Sequence, residues 1–120
     1  SDFPNQVNNS IGFPGIFRGA LDVMAKTITD EMCIAAAEEI AKCAEDNGLR
    51  EDYIVPDMTE WETFPRVAVA VGMKAIEQGV ARVTMSSDDL YKMADAKIRE
   101  AREQTHALMR EGLIPPAPEL

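Results

Sequence analysis

The run from Pro65 to Gln78 constrains this 120-residue chain more than any other segment, because it is apolar around most of a helix's girth. Val67, Val69, Ala70, Val71, Met73, Ala75 and Ile76 leave it no wet side. A helix that meets water on one face keeps a polar stripe there, so this one is expected to be the most buried element. With 46% hydrophobic residues the chain can cover it, and an aromatic content of only 6% favours close-packed helices over a β-sandwich.

Three further segments have helical rhythm. The spacing predicts helices over 14–25, 29–46 and 87–111 beside the one at 65–78, with little or no sheet. Pro14 suits a first turn, where a missing N–H costs nothing. Ile16, Phe17, Ala20, Leu21 and Met24 then read as a buried stripe. Thr29 is a good N-cap, with Asp30 and Glu31 in the first turn, and Cys33, Ala36, Ala37, Ile40, Ala41 and Ala44 form the apolar face that follows. Ser86 or Ser87 caps the last helix, along which Leu90, Ala94, Ile98, Ala101, Thr105 and Leu108 step by three and four. Asn47–Gly48, Gly79 and Gly112 are stop signals, and Pro115–Pro116–Ala117–Pro118 makes a stiff tail. Residues 49–64 are irregular, with a short extended piece expected at Tyr53–Val55.

Charge and cysteine usage exclude several functions. The formal net charge of −9 argues against a nucleic-acid surface, which needs clustered Lys and Arg. No apolar stretch approaches the ~20 residues of a membrane span, and there is no signal peptide. Cys33 and Cys43 fit no zinc spacing, and the single His106 cannot complete a site. On one helix they would lie about 15 Å apart, too far for a disulfide. Reduced, partly buried thiols suit the cytoplasm. The chain opens on Ser rather than Met, so its true start is expected upstream. The acidic pairs Asp30–Glu31, Glu38–Glu39 and Asp88–Asp89 fall on helix starts or exposed faces, where capping and solvation explain them.

The chemically pointed stretch is the beginning. Asn5, Gln6, Asn8, Asn9 and Ser10 precede a helix start, a neutral, donor-rich arrangement that can hold a carboxylate or a cofactor amide. The same residues also cap turns and helix ends as a matter of course. Gly12, Gly15 and Gly19 follow at helical spacing, where small residues let a backbone or a ligand come close. They have the wrong spacing for a phosphate loop and follow no strand.

Ser1-Asp2-Phe3-Pro4-Asn5-Gln6-Val7-Asn8-Asn9, then Gly12-Phe13-Pro14-Gly15-Ile16-Phe17-Arg18-Gly19-Ala20-Leu21, closely resembles the C-terminal signature of malic enzymes of the shorter bacterial and archaeal type. Ile28-Thr29-Asp30-Glu31-Met32, Ala35-Ala36-Ala37 and Tyr53-Ile54-Val55-Pro56 continue the likeness, which is strong over 1–56, weaker to about Glu77 and not evident from Ser86 onward.

The resemblance implies an enzyme that converts L-malate to pyruvate and carbon dioxide while reducing NAD or NADP, with Mg or Mn bound. It implies that Asn9, and after it Asn8, holds a malate carboxylate, with Asn8 also touching the nicotinamide side. The family's catalytic Tyr and Lys, its acidic metal ligands and its Gly-rich dinucleotide loop lie upstream, so no catalytic or metal-binding residue is expected here. Residues 1–85 would be the C-terminal part of the NAD(P)-binding domain, which in the full enzyme is a Rossmann-type α/β fold, and 86–120 a final helix and Pro-rich tail. Alone, the chain is expected to be mainly α, with about four helices, to bind no cofactor and to be inert. Its expected partners are the rest of the enzyme chain, malate or pyruvate, and further copies of itself, through the helices at 65–78 or 87–111. A self-standing helical interaction module without activity is the alternative.

Overall fold

The computed structural model describes residues 2–119; Ser1, which opens the motif above, and Leu120, which ends the tail, lie outside the described residues. A short 3-10 turn at Asn9–Ile11 leads into α1 (Phe13–Asp22), followed by α2 (Asp30–Asp46), α3 (Thr63–Glu77) and α4 (Ser87–Arg110). There is no strand among the described residues, only a lone backbone bridge between Arg50 and Tyr53. The mainly α expectation holds.

Local chemistry sets the ends. The Thr29 hydroxyl accepts the Met32 N–H at 3.2 Å, and the Ser86 hydroxyl accepts that of Asp89 at 3.1 Å. Of the two candidate caps for α4, Ser86 is the one used. Gly79 and Gly112 take the left-handed φ of 71° just past α3 and α4. Helix α1 stops at Asp22, short of the expected 25, where Met24 takes a left-handed φ of 51° and the Ala25 N–H turns back to the Ala20 carbonyl at 2.8 Å.

Helix α3 is the centre of the molecule and packs against α1, α2 and α4. Val67, Ala68, Val71 and Ala75 are fully buried. Each such valine contributes about 1.5–3 kcal/mol. Two helices meet α3 through glycine. A Cβ on Gly15 would stand 2.5 Å from Val67 Cγ1, and one on Gly19 would collide with the Ala68 carbonyl oxygen. On the other side, Gly72 admits Leu90 of α4, which a Cβ would meet at 2.5 Å.

Three apolar faces differ from the sequence reading. On α1 the glycine side is the buried one: Gly15, Gly19 and Ala20 face inward, while Phe17, Leu21 and Met24 are half or more exposed. On α2 the inward residues are Met32, Ala36, Ile40, Cys43 and Ala44, so Cys33, Ala37 and Ala41 turn outward. The α4 stripe is buried at Leu90 and Ala94 and partly at Ile98, but Ala101, Thr105 and Leu108 are exposed. The helix outruns its support there.

Polar contacts tie the helices together. Arg66 of α3 donates to Glu39 and Asp46 of α2, each at 2.8 Å. Arg18 and Lys97 both reach Oδ1 of Asp22, whose side chain is fully buried, at 2.8 and 2.7 Å. Arg99 stacks 4.2 Å above the Trp61 ring, joining α4 to the loop before α3.

Gly19→Ala should lower the unfolding free energy by about 1–3 kcal/mol, since a backbone carbonyl cannot move aside. That outweighs alanine's helix-propensity advantage of about 1 kcal/mol. Gly12→Ala, whose Cβ would meet nothing closer than 3.6 Å, should cost less than about 1 kcal/mol. Denaturant titrations of the two variants decide it.

The thiols should separate as well. Burial pushes the Cys43 thiol up, whereas Cys33 is exposed, so an alkylating reagent should label Cys33 in the native protein and Cys43 only on unfolding. Equal native rates at both would contradict the packing of α2.

Candidate functional site

The loop before α1 is built around Asn5. Its φ of 54° lies in the left-handed region that asparagine tolerates better than most residues. Its side-chain Oδ1 accepts the N–H groups of Ile54 and Val55 at 2.7 and 3.0 Å, and its Nδ2 donates to the Val55 carbonyl at 2.8 Å. Both ends of the amide are therefore spent on the Tyr53–Val55 segment. An aspartate has no donor for the third bond.

Asn8, in extended conformation, caps the 3-10 turn: its Oδ1 accepts the Ser10 N–H at 3.0 Å. Its Nδ2 group makes no hydrogen bond among the described residues. Asn9 opens the turn, and its carbonyl accepts the Gly12 N–H at 3.0 Å. The Asn9 side chain is exposed and makes no hydrogen bond among the described residues. Ile11 closes the turn by inserting into the core at 6% exposure, which fixes the loop from below.

Asn5, Gln6, Asn8 and Ser10 form one side of a groove of about 210 Å³, whose other residues include Val55, Pro56, Asp57 and Met58. Asn9 is not among its lining residues. Hydrogen bonds from the Thr59 N–H and hydroxyl hold the Asp57 carboxyl below the usual range, so this side of the groove carries a negative charge.

The amide cluster read from the sequence thus divides. Asn5 is structural, Asn8 is half used as a cap, and Asn9 is uncommitted. Nothing in the sequence signalled that Asn5 would reach a segment fifty residues away. The buried Asp22 was equally unmarked; its partner Lys97 lies far along the chain. Of the acidic pairs, Glu39 departs from a purely solvated reading, because it is partly buried against Arg66. His106 is exposed on α4. Among the described residues no group of three or more His, Cys, Asp or Glu is placed to hold a metal ion. No helix among them is long and apolar enough to cross a membrane.

The helical frame and its amide-bearing loop have close counterparts among known proteins. Residues 2–80 match the family described as malic enzyme, NAD binding domain. The chain is 51% identical over 90 residues to the bifunctional malic/malolactic enzyme of Bacillus subtilis, covering 75% of this chain and 22% of that protein. It is 49% identical over 82 residues to the NAD-dependent malic enzyme of Geobacillus stearothermophilus, covering 68% of this chain and 17% of that one. Its fold matches the crystal structure of Entamoeba histolytica malic enzyme with a TM-score of 0.92 and 48% identity, over 98% of this chain and 24% of that one. The malic enzyme structure from Pyrococcus horikoshii matches with a TM-score of 0.82 and 40% identity, over 92% and 25%.

The chain belongs to the malic enzyme NAD-binding-domain family. It spans about a sixth to a quarter of the length of these relatives. Because the Entamoeba match covers 98% of the chain, it takes in α4, where the sequence alone showed no likeness.

Asn5→Asp should cost about 1–3 kcal/mol, because it sets a carboxylate oxygen against the Val55 carbonyl and loses a donor. Asn8→Ala, which removes one cap, should cost about 1 kcal/mol. Chemical denaturation of both variants tests that order.

Proposed function

We propose that this chain is the C-terminal helical part of a malic enzyme's nucleotide-binding domain, over residues 1–85, followed by the enzyme's final helix and tail over 86–120. The whole enzyme would convert L-malate to pyruvate and carbon dioxide while reducing NAD or NADP. The family match over residues 2–80 supports the assignment. A bound Mg or Mn ion would polarise the substrate's hydroxyl and then its carbonyl oxygen. No ligand set among the described residues fits such an ion, so in this reading the metal belongs to the rest of the enzyme.

The chain's own contribution is positioning. Asn9 carries it: alone among the three asparagines of the loop that take part in its turns, its amide is wholly uncommitted and exposed. Its Nδ2 would donate to a carboxylate of malate. Asn8 is second for the same role, and its free Nδ2, beside the groove, suits the carboxamide of a nicotinamide. Neutral donors hold an anion without raising its desolvation cost by a second buried charge. Gly15 and Gly19 are used against α3, so the dinucleotide phosphates are not cradled here.

Asn9→Ala in the whole enzyme should lower kcat/KM for malate by roughly ten- to a hundred-and-fifty-fold, the worth of a hydrogen bond to a charged partner at about 1.5–3 kcal/mol. Affinity for NAD or NADP should move far less, and the melting temperature should not change. A lowered melting temperature with normal malate kinetics would make Asn9 a turn residue and end the substrate assignment. The isolated 120-residue chain should give no malate-dependent reduction of either nucleotide with Mn present.

A further inference from the structure

The segment 53–57, which receives the Asn5 side chain at Ile54 and Val55, is itself held at both ends by one carboxylate. Glu60 stands half-buried in the loop before α3. Its Oε2 accepts the Tyr53 hydroxyl at 2.7 Å, and its Oε1 accepts the Asp57 N–H at 2.9 Å. Asn47, at the C-terminal end of α2, donates its Nδ2 to the same Oε2 at 2.9 Å and to the Tyr53 oxygen at 3.2 Å. The Glu60 carbonyl accepts the Thr63 N–H at 3.0 Å, where α3 begins. One residue therefore ties the segment to two helices of the frame. Of the five residues in the segment only Pro56 is buried, so packing alone does not fix it. Irregular backbone with few buried apolar contacts opens easily unless polar bonds hold it.

We infer that Glu60 is a positioning residue for the Asn8–Asn9 turn, acting through Tyr53, the segment 53–57 and Asn5. The inference rests on the malic enzyme reading above and extends the substrate site to a residue outside its loop. Both ends of the Asn5 amide bond to this segment, and Val55, Pro56 and Asp57 line the groove that Asn8 and Ser10 also line. Without the Glu60 carboxylate the segment is free at its start and its end, and Asn5 is bonded to a moving partner. Ordering the turn then costs entropy when substrate binds. Glutamine at position 60 is a graded version of the same change. Its amide keeps an acceptor on one side and turns a donor towards the other, so it can receive the Tyr53 hydroxyl or the Asp57 N–H but not both.

In the whole enzyme, Glu60→Ala should lower kcat/KM for malate by about two- to tenfold, the worth of a lost hydrogen bond. The change should lie in KM, with kcat held within about twofold, because the loss is one of ordering before the chemical step. Glu60→Gln should fall between Glu60→Ala and the parent. Tyr53→Phe, which removes only the hydroxyl and keeps the ring beneath the Arg50 guanidinium, should move the same way. With Asn9→Ala already in place, Glu60→Ala should change kcat/KM by less than about twofold, since the amide it positions is gone. Where Asn9→Ala does impair malate turnover, normal malate kinetics in Glu60→Ala would overturn the proposal. An effect equally large in the Asn9→Ala background would do the same. Hydrogen exchange separates the positioning role from the substrate assignment. The N–H groups of Ser10, Ile11 and Gly12 are bonded within the turn. In Glu60→Ala they should exchange several-fold faster than in the parent, while those in the middle of α2 keep their rates. Unaltered exchange in the turn would end the positioning role whatever the kinetics. Faster exchange there, beside an Asn9→Ala enzyme of normal malate kinetics, would uphold the positioning and end the malate assignment at Asn9.

Discussion

The contact between α1 and α3 is the constraint from which the rest follows. Gly19 brings the backbone of one helix against a carbonyl of the other, and Gly15 does the same against a valine side chain. At these two points α1 places no side chain of its own between the helices, so neither can rotate or slide without a collision. That fixes the register of α1. The register drives Ile11 into the core and aims the loop before it across Ile54 and Val55, both of which Asn5 bonds through its side chain. The Phe13 and Phe17 side is turned outward by the same geometry. Position of the loop and exposure of that side are two consequences of one close approach.

Electrostatics reinforces this frame at few points. The chain carries nine more negative than positive charges, yet the buried carboxylate, Asp22, meets two cations. Its side chain is fully enclosed, and Arg18 and Lys97 offset the loss of its hydration there. One of its oxygens still lacks a partner among the described residues. Lys97 also makes the attachment of α4 to α1 direct rather than only through α3. The paired contacts of Arg66 do the equivalent between α2 and α3. Exposed pairs such as Arg50–Asp52 contribute little by comparison.

The sequence announced element ends more clearly than element faces. Thr29, Ser86, Gly79 and Gly112 act through local hydrogen bonds and local φ, so their effect is visible within a few residues. The all-round apolar run at 65–78 also had only one reasonable place, the centre. Which side of α1 is buried was not local. A search for large apolar residues selects Phe17, Leu21 and Met24, whereas the closest contact is made by the residues with no side chain at all. On α2 the error was a rotation of the inward face by about one residue, which put Met32 and Cys43 inside and Cys33 outside. Alanine on nearly every side of that helix gave the pattern too little contrast to resolve it. The loop was legible as an amide cluster but not as a division of labour. That division depends on where residues 54 and 55 come to lie.

The division has a physical logic for binding. An amide that is to orient an anion needs its backbone fixed, or the ordering entropy is charged against the affinity. Asn5 anchors the base of the loop to a distant segment, and Asn8 closes the turn by accepting the Ser10 N–H. Asn9 then sits on a turn whose backbone is set from both ends, with only its own side-chain torsions left to freeze. Two adjacent asparagines are therefore not redundant: one sets the conformation in which the other can be used. The charge on Asp57 gives the arrangement a polarity, repelling a carboxylate from the groove side and leaving that side to a neutral amide. Under the proposed function, substrate would meet Asn9 and the nicotinamide carboxamide would meet Asn8, from one turn of backbone.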